Sequence, residues 1–256
     1  GNVGRKTIDI LEKSKLDIDE LHLVASKKSS GKKIKFKGKD LTVVALDNYD
    51  FEKADITFFA AGSYIAEKYA KNASKKTIVI DNSKYFRMDK DVPLIVPEIN
   101  SEDVKRHKNI IANPNCSTIQ MVLALSPLHK KFNIKRIVVS TYQAVSGAGK
   151  AAMDELMSQT KDFLNKKKVK LNNFTKQIAF NLIPHIDVFV EDGYTKEEWK
   201  MENETKKILS ENIKVSATCV RVPVITSHSE SVNVEFDRDY NIDEVKKLLS
   251  GAPGCK

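Results

Sequence analysis

Gly1-Asn2-Val3-Gly4-Arg5-Lys6-Thr7-Ile8-Asp9-Ile10-Leu11 opens the chain as a glycine turn entering a helix, with Ile8 and Leu11 on one apolar face. A turn of this kind normally follows a buried strand. Neither that strand nor a first loop glycine precedes Gly1, and Ala252-Pro253-Gly254-Cys255-Lys256 is turn composition that should lead further. The expectation is a chain truncated at both ends.

Working outward, apolar strand-like runs at 21–26, 41–45, 56–60 and 77–81 alternate with helical patterns such as 66–73, which argues a parallel α/β sheet. Beyond residue 116 the pattern changes. Residues 118–128 read as helix and 135–142 as a strand ending in the glycine-rich turn Ser146-Gly147-Ala148-Gly149. Residues 151–163 and 196–210 read as helices, 171–181 as irregular, and 215–224 and 231–236 as alternating strands. This second half reads as an antiparallel sheet with helices on one face. The expected fold class is α/β, a Rossmann-like nucleotide-binding domain over 1–116 followed by a mixed α+β domain over 117–256.

The 256 residues are 41% hydrophobic and 30% charged, the balance of a globular protein, and no apolar run nears the ~20 residues of a membrane span. Three cysteines, Cys116, Cys219 and Cys255, are too few and scattered for a disulfide framework, and no signal segment opens the chain, so a cytoplasmic setting is expected. The net charge of +9 comes from lysines, clustered at Lys27–Lys28, Lys32–Lys33 and Lys166–Lys168. No aromatics interleave with them and no nucleic-acid module signature occurs, so they read as a solvated basic surface that helps collect small anions. A basic nucleic-acid-binding protein on a Rossmann scaffold is the alternative from another class. Neither a metal site nor a membrane partner is expected.

Cys116 stands in Asn113-Pro114-Asn115-Cys116-Ser117-Thr118, directly ahead of an apolar helical run. A thiol there has its thiolate favoured by the helix dipole and by unpaired backbone N–H groups, which also suit an oxyanion. The bland alternative is a small buried filler. Cys219, inside a strand pattern, reads as core. His228 ends the run that begins at Arg221. A buried arginine needs an anionic partner, which a substrate carboxylate would supply, and a histidine nearby would exchange protons with an intermediate on Cys116. Gln143 falls at a strand end, where α/β enzymes present functional side chains. The stretch Leu23-Val24-Ala25-Ser26-Lys27-Lys28-Ser29-Ser30-Gly31 follows a strand and contains no acid, which in a dinucleotide fold suits the extra phosphate of NADP over NAD.

Together these segments resemble the aspartate-semialdehyde dehydrogenases, through Pro114-Asn115-Cys116-Ser117-Thr118, Gln143-Ala144-Val145-Ser146-Gly147-Ala148-Gly149, Glu197-Glu198-Trp199-Lys200 with Glu204-Thr205, and Arg221 with His228. The resemblance implies Cys116 as nucleophile, Gln143 as the group orienting the substrate, and His228 as the acid–base group. It implies Arg221 on the substrate carboxylate, Glu197 on its ammonium, and Asn115, Lys200 and Arg87 on its acyl phosphate. It places NADP against Gly1, Asn2, Val3, Gly4, Ser26, Lys28, Ser29, Ser146 and Gly147, with lysine at 28 where relatives often carry arginine. The reaction implied is NADPH-dependent reductive dephosphorylation of aspartyl phosphate, releasing inorganic phosphate, in lysine, threonine, methionine and diaminopimelate biosynthesis. The second domain would then also carry a homodimer interface, in a dimer or a dimer of dimers. Related reductases acting on N-acetylglutamyl phosphate or malonyl-CoA are the near alternatives.

Overall fold

The structure is a computed structural model describing residues 1–256, which fall into two compact units: 1–93 with 106–113, and 94–105 with 114–256. In the first unit α1 (Asn2–Lys13) starts on Gly1 as its N-cap and has no acidic residue in its first turn. Strand β1 (Val24–Ala25) is followed by a hairpin of β2 (Lys33–Phe36) and β3 (Lys39–Thr42), then by β4 (Val44–Ala45), which pairs in parallel with β1. The expected strands at 21–26 and 41–45 are thus short. The second run is shared between two sheets, the antiparallel hairpin holding it up to Thr42 and the parallel ladder taking over at Val44, with buried Val43 at the switch. The hairpin turns through Lys37 and Gly38, both at positive φ, the twist that favours tight connections.

Strands β5 (Ile56–Phe59), β6 (Ile78–Asp81) and β7 (Ile110–Ala112) form a parallel sheet in that order. Between β5 and β6 runs α2, residues 63–73, with a π-helical stretch at Ala66–Ala70. Its buried positions Ala66, Ala70 and Ala73 are all small, which lets the crossover helix lie close to its neighbours. The parallel α/β expectation holds here.

The second unit contains α3 (Cys116–Phe132), β8 (Ile134–Gln143), α4 (Lys150–Leu164), α5 (Lys196–Ile208), β9 (Lys214–Arg221), β10 (Ser229–Phe236) and α6 (Ile242–Gly251). Its sheet has the order β10-β8-β9. The expectation of an antiparallel sheet is corrected: β10 is antiparallel to β8, but β9 runs parallel to it. The chain between β8 and β9 contains two helices, and a long crossover of that kind returns a strand to the same end of the sheet. Met121, Leu125, Leu128 and Phe132 of α3 pack with Ile137, Val139, Ala217 and Met201 in the core, each fully buried large aliphatic contributing about 1.5–3 kcal/mol. No helix is long and apolar enough to cross a membrane.

The irregular segment after α4 is held by two buried polar residues one helical turn apart. The Glu155 carboxylate accepts from the backbone N–H groups of Asn172 (3.0 Å) and Asn173 (2.6 Å), and the Gln159 carbonyl accepts from those of Ile178 (2.9 Å) and Ala179 (3.2 Å). Burial alone would raise the Glu155 pKa, but these donors outweigh it and hold the carboxyl below its usual range. Glu155→Ala should therefore cost about 1.5–3 kcal/mol for each charge-assisted bond not replaced by water, and release residues 170–179 to fast amide exchange. Hydrogen-exchange mass spectrometry checks this, and unchanged protection of that segment would contradict it.

Candidate functional site

Alternation along the strands places Gln143 and Arg221 on one rung of the β8–β9 ladder, with Thr141 and Cys219 on the next rung of the same face. Glu230 of β10 pairs with Thr141 and completes that second rung. Cys116 lies at the first position of α3, exposed, and Asn115 is the N-cap, its side-chain oxygen accepting from Ser117 N–H (2.9 Å) and Thr118 N–H (3.3 Å). The cap explains why the helix starts at the cysteine: asparagine satisfies two donors that the first turn would leave unpaired.

Glu197, 5% exposed, is the hub of the site. Its Oε1 accepts from Asn115 Nδ2 (2.9 Å) and Gln143 Nε2 (3.1 Å), and its Oε2 from Lys200 Nζ (2.8 Å). Burial pushes its pKa up, but the Lys200 ammonium and the three hydrogen bonds overcome this and leave it below the usual carboxylate range. Lys200 also donates to Asp187 Oδ2 (2.9 Å); burial disfavours its charge, yet the two carboxylates hold its pKa above the ordinary value.

Arg221 is buried, and burial lowers its pKa; Glu197 and Cys116 lie near enough to oppose that electrostatically. It donates from Nη1 to the Ala144 carbonyl (2.6 Å), and no carboxylate comes within ion-pair distance of it. Ala144 in turn donates its N–H to His228 Nδ1 (3.0 Å). Burial, then the Arg221 charge, lowers the His228 pKa below 6.5. A Cβ on Gly147 would stand 3.3 Å from Arg221 Nη1 and 3.5 Å from His228 Nε2, so Gly147 faces both.

The second unit thus brings together Asn115, Cys116, Gln143, Gly147, Glu197, Lys200, Arg221 and His228, with Ser146 in the same turn. Arg87 belongs to the first unit, where Nε donates to the Asn113 carbonyl (2.9 Å) and Nη2 to that of Asn82 (3.3 Å). Also in that unit, Gly1, Asn2, Val3 and Gly4 form the start of α1, and Ser26 caps a short 3₁₀ turn containing Lys28 and Ser29. Nothing lies within 4 Å of the Cβ positions of Gly1 and Gly4.

Two groups at the site were not assigned roles from sequence. Glu204 accepts the backbone N–H of Asn115 (2.6 Å), and Asp187 shares Lys200. The spacing of Glu197, Lys200 and Glu204 put all three on one face of a helix, a signal that was present for Glu204. Asp187, in irregular chain, had none. Cys219 is core, as expected, its thiol pushed up to about 12 by burial. Glu230 is pushed up to about 7 by burial, with a hydrogen bond from Gln120 as a smaller opposing effect.

Residues 1–107 match the family described as "Semialdehyde dehydrogenase, NAD binding domain", and residues 125–256 match "Semialdehyde dehydrogenase, dimerisation domain". The aspartate-semialdehyde dehydrogenase of Aquifex aeolicus (strain VF5) is 54% identical over 260 residues, covering 99% of this chain and 76% of the relative. The crystal structure of aspartate semialdehyde dehydrogenase II complexed with ASA from Vibrio cholerae is 45% identical with a TM-score of 0.97, covering 98% of this chain and 76% of that one. The structure of aspartate semialdehyde dehydrogenase with NADP from Candida albicans is 28% identical with a TM-score of 0.72, covering 98% and 74%.

The exposed position of Cys116 and the burial and raised pKa of Cys219 predict that iodoacetamide labels the first and spares the second in the folded protein. Peptide mass spectrometry reads this, and comparable labelling of both thiols would be the contrary result.

Proposed function

The chain belongs to the aspartate-semialdehyde dehydrogenase family, and from that premise we propose that it interconverts aspartyl phosphate and aspartate semialdehyde through a thioester on Cys116, with NADP as cofactor. The observation that carries this reading is a buried guanidinium, Arg221, with no carboxylate within ion-pair distance, close enough to an exposed thiol at a helix N-terminus for their charges to interact. A cation so placed calls for an anion from outside the protein, and a substrate carboxylate held by two hydrogen bonds satisfies it. The ASA complex of the Vibrio relative and the NADP complex of the Candida relative point to the same chemistry.

The residues present suit NADP. The start of α1 is glycine-capped, free of acids and open around Gly1 and Gly4, which suits a pyrophosphate, and Ser26, Lys28 and Ser29 offer hydroxyls and a cation to an adenosine phosphate. Ser146 and Gly147 would meet the nicotinamide end. When bound, NADPH supplies hydride to the acyl carbon and NADP accepts it in reverse.

In the biosynthetic direction the Cys116 thiolate attacks the acyl-phosphate carbonyl. A C–S bond forms, the C–O bond to phosphorus breaks, and inorganic phosphate leaves. The positive end of the α3 dipole favours the oxyanion, and Gln143 orients the substrate with the amide proton not given to Glu197. After hydride arrives, the tetrahedral oxygen on the Cys116 adduct regains its C=O bond, the C–S bond breaks, and the aldehyde departs. His228 donates to that oxygen through Nε2–H, because Nδ1 accepts from the Ala144 N–H and the neutral ring therefore carries its proton on Nε2. Glu197 meets the substrate ammonium, while Asn115 and Lys200 receive the phosphate. The match to a dimerisation domain supports a homodimer, with a dimer of dimers as the larger assembly in the same reading, and the proposed setting is cytoplasmic.

In the full-length protein, Cys116→Ala should lower phosphate-dependent oxidation of the aldehyde by about three orders of magnitude or more, with NADPH binding by fluorescence titration unchanged. Normal turnover by this variant would sink the assignment. The pH profile gives a second test. A lowered His228 pKa means the ring loses its second proton at lower pH than an ordinary histidine, so the neutral ring, with Nδ1 accepting from Ala144 and Nε2–H turned to the site, persists further into acid. The acidic limb of kcat/KM for aldehyde oxidation should have its midpoint below 6.5. A limb above that value would exclude His228, in the environment described, as the group titrating.

A further inference from the structure

Gln143 can help a reaction only if its amide faces one particular way round. The two ends of a carboxamide have nearly the same shape and opposite hydrogen-bonding character, so packing alone does not choose between them. Nε2 donates to Glu197 Oε1 at 3.1 Å. At the other end Oε1 accepts from Thr141 Oγ1 at 3.3 Å. Turning the amide over would set its oxygen against the Glu197 carboxylate and its NH₂ against a hydroxyl already aimed at it.

Thr141 is well placed to hold that orientation. It is 0% exposed, two residues before Gln143 on the same face of β8, so no water competes for its hydroxyl. Its β-branched side chain has restricted χ1 freedom in a strand. On the same rung the Cys219 thiol lies in hydrogen-bonding contact with Thr141 and, fully buried, remains protonated. The groups therefore form an ordered chain of donors: Thr141 O–H to Gln143 Oε1 and Gln143 N–H to Glu197, with the Lys200 ammonium closing the far side of that carboxylate. Each member uses its donor toward the next, and the remaining Gln143 N–H is left pointing in a fixed direction.

We infer that Thr141 is a positioning residue for the proposed reaction: its buried hydroxyl locks the Gln143 amide so that an N–H, not the carbonyl, is presented to the substrate. This deepens the thioester reading above and rests on it. Thr141 touches neither substrate nor cofactor and acts only through Gln143.

The test uses full-length protein and three variants. Thr141→Val keeps the β-branch and volume but removes the hydroxyl, leaving Gln143 Oε1 unpaired and the amide held at its Glu197 end alone. We expect kcat for phosphate-dependent aldehyde oxidation to fall by about tenfold or more, as for other small losses of orientation, with KM for NADP and the iodoacetamide reactivity of Cys116 unchanged. Thr141→Ser restores the hydroxyl and should restore most of kcat. In a Gln143→Ala background, Thr141→Val should have no further effect on kcat, because the group it positions is gone. Wild-type kcat in Thr141→Val, an equal loss in Thr141→Ser, or a full additional loss on top of Gln143→Ala would each overturn the inference while leaving the thioester reading intact. An inactive wild-type protein would instead overturn that reading, and the inference with it.

Discussion

Glu197 keeps an ionised carboxylate in a place almost without water, a state that survives only where donors and an opposite charge surround it. Here the donors come from three separate elements. Asn115 belongs to the cap of α3, Gln143 to the end of β8, and Lys200 to the next turn of the helix that carries Glu197 itself. Meeting one charge therefore fixes the helix that begins with Cys116 against the strand that ends with Gln143. Helix α5 repeats the device. Its capping-box residue Glu198 accepts the backbone N–H of Cys219 in β9 (3.0 Å), and Glu204 accepts that of Asn115 (2.6 Å). Three buried acids on one helix thus tie down a strand, a helix start and two side-chain amides.

Because these acids are spent on internal partners, the positive groups are left unevenly matched. Lys200 has two carboxylates, whereas Arg221 has a backbone carbonyl and no acid within ion-pair distance. The positive end of the α3 dipole adds to the imbalance. A site with this arrangement favours anions and a thiolate without any metal-like cluster, and no group of three or more His, Cys, Asp or Glu side chains with metal-holding geometry occurs in the chain. The contrast with Cys219 shows how far environment decides reactivity: the same thiol in the apolar core, beside two glutamates of α5 and Glu230, has its pKa pushed up to about 12.

The parts of this site legible in sequence were those with local signatures. Asparagine before cysteine and an apolar helical run gave the position of Cys116, and an arginine in a strand suited to burial singled out Arg221. The partners of those residues were not legible, since Glu204 meets Asn115 across 89 positions and Glu197 meets Gln143 across 54, and such pairings depend on topology. Topology was also where the fold expectation failed. Apolar and polar alternation in 215–224 reveals a strand and its inner face but carries no information on direction, so it does not distinguish the parallel β9 of the structure from an antiparallel one. The hairpin Lys33–Phe36 and Lys39–Thr42 escaped notice for a related reason: its apolar side is only Ile34, Phe36 and Leu41, too sparse to stand out among lysines.

The glycine-rich turn after β8 acts mainly through its backbone. Ala144 uses its N–H to orient His228 and its carbonyl to anchor Arg221, so one peptide residue, adjacent to Gln143, sets the relation between the His228 ring and the Arg221 guanidinium. Gly147 is required beside them for space, because its φ is outside the left-handed region while an added methyl would crowd the Arg221 guanidinium at 3.3 Å. Gly149 is the opposite case: open space surrounds its Cβ position, but its φ of 93° is one that L side chains rarely adopt. Two glycines two positions apart thus answer different constraints. One leaves room beside Arg221 and His228, and the other turns the chain into α4.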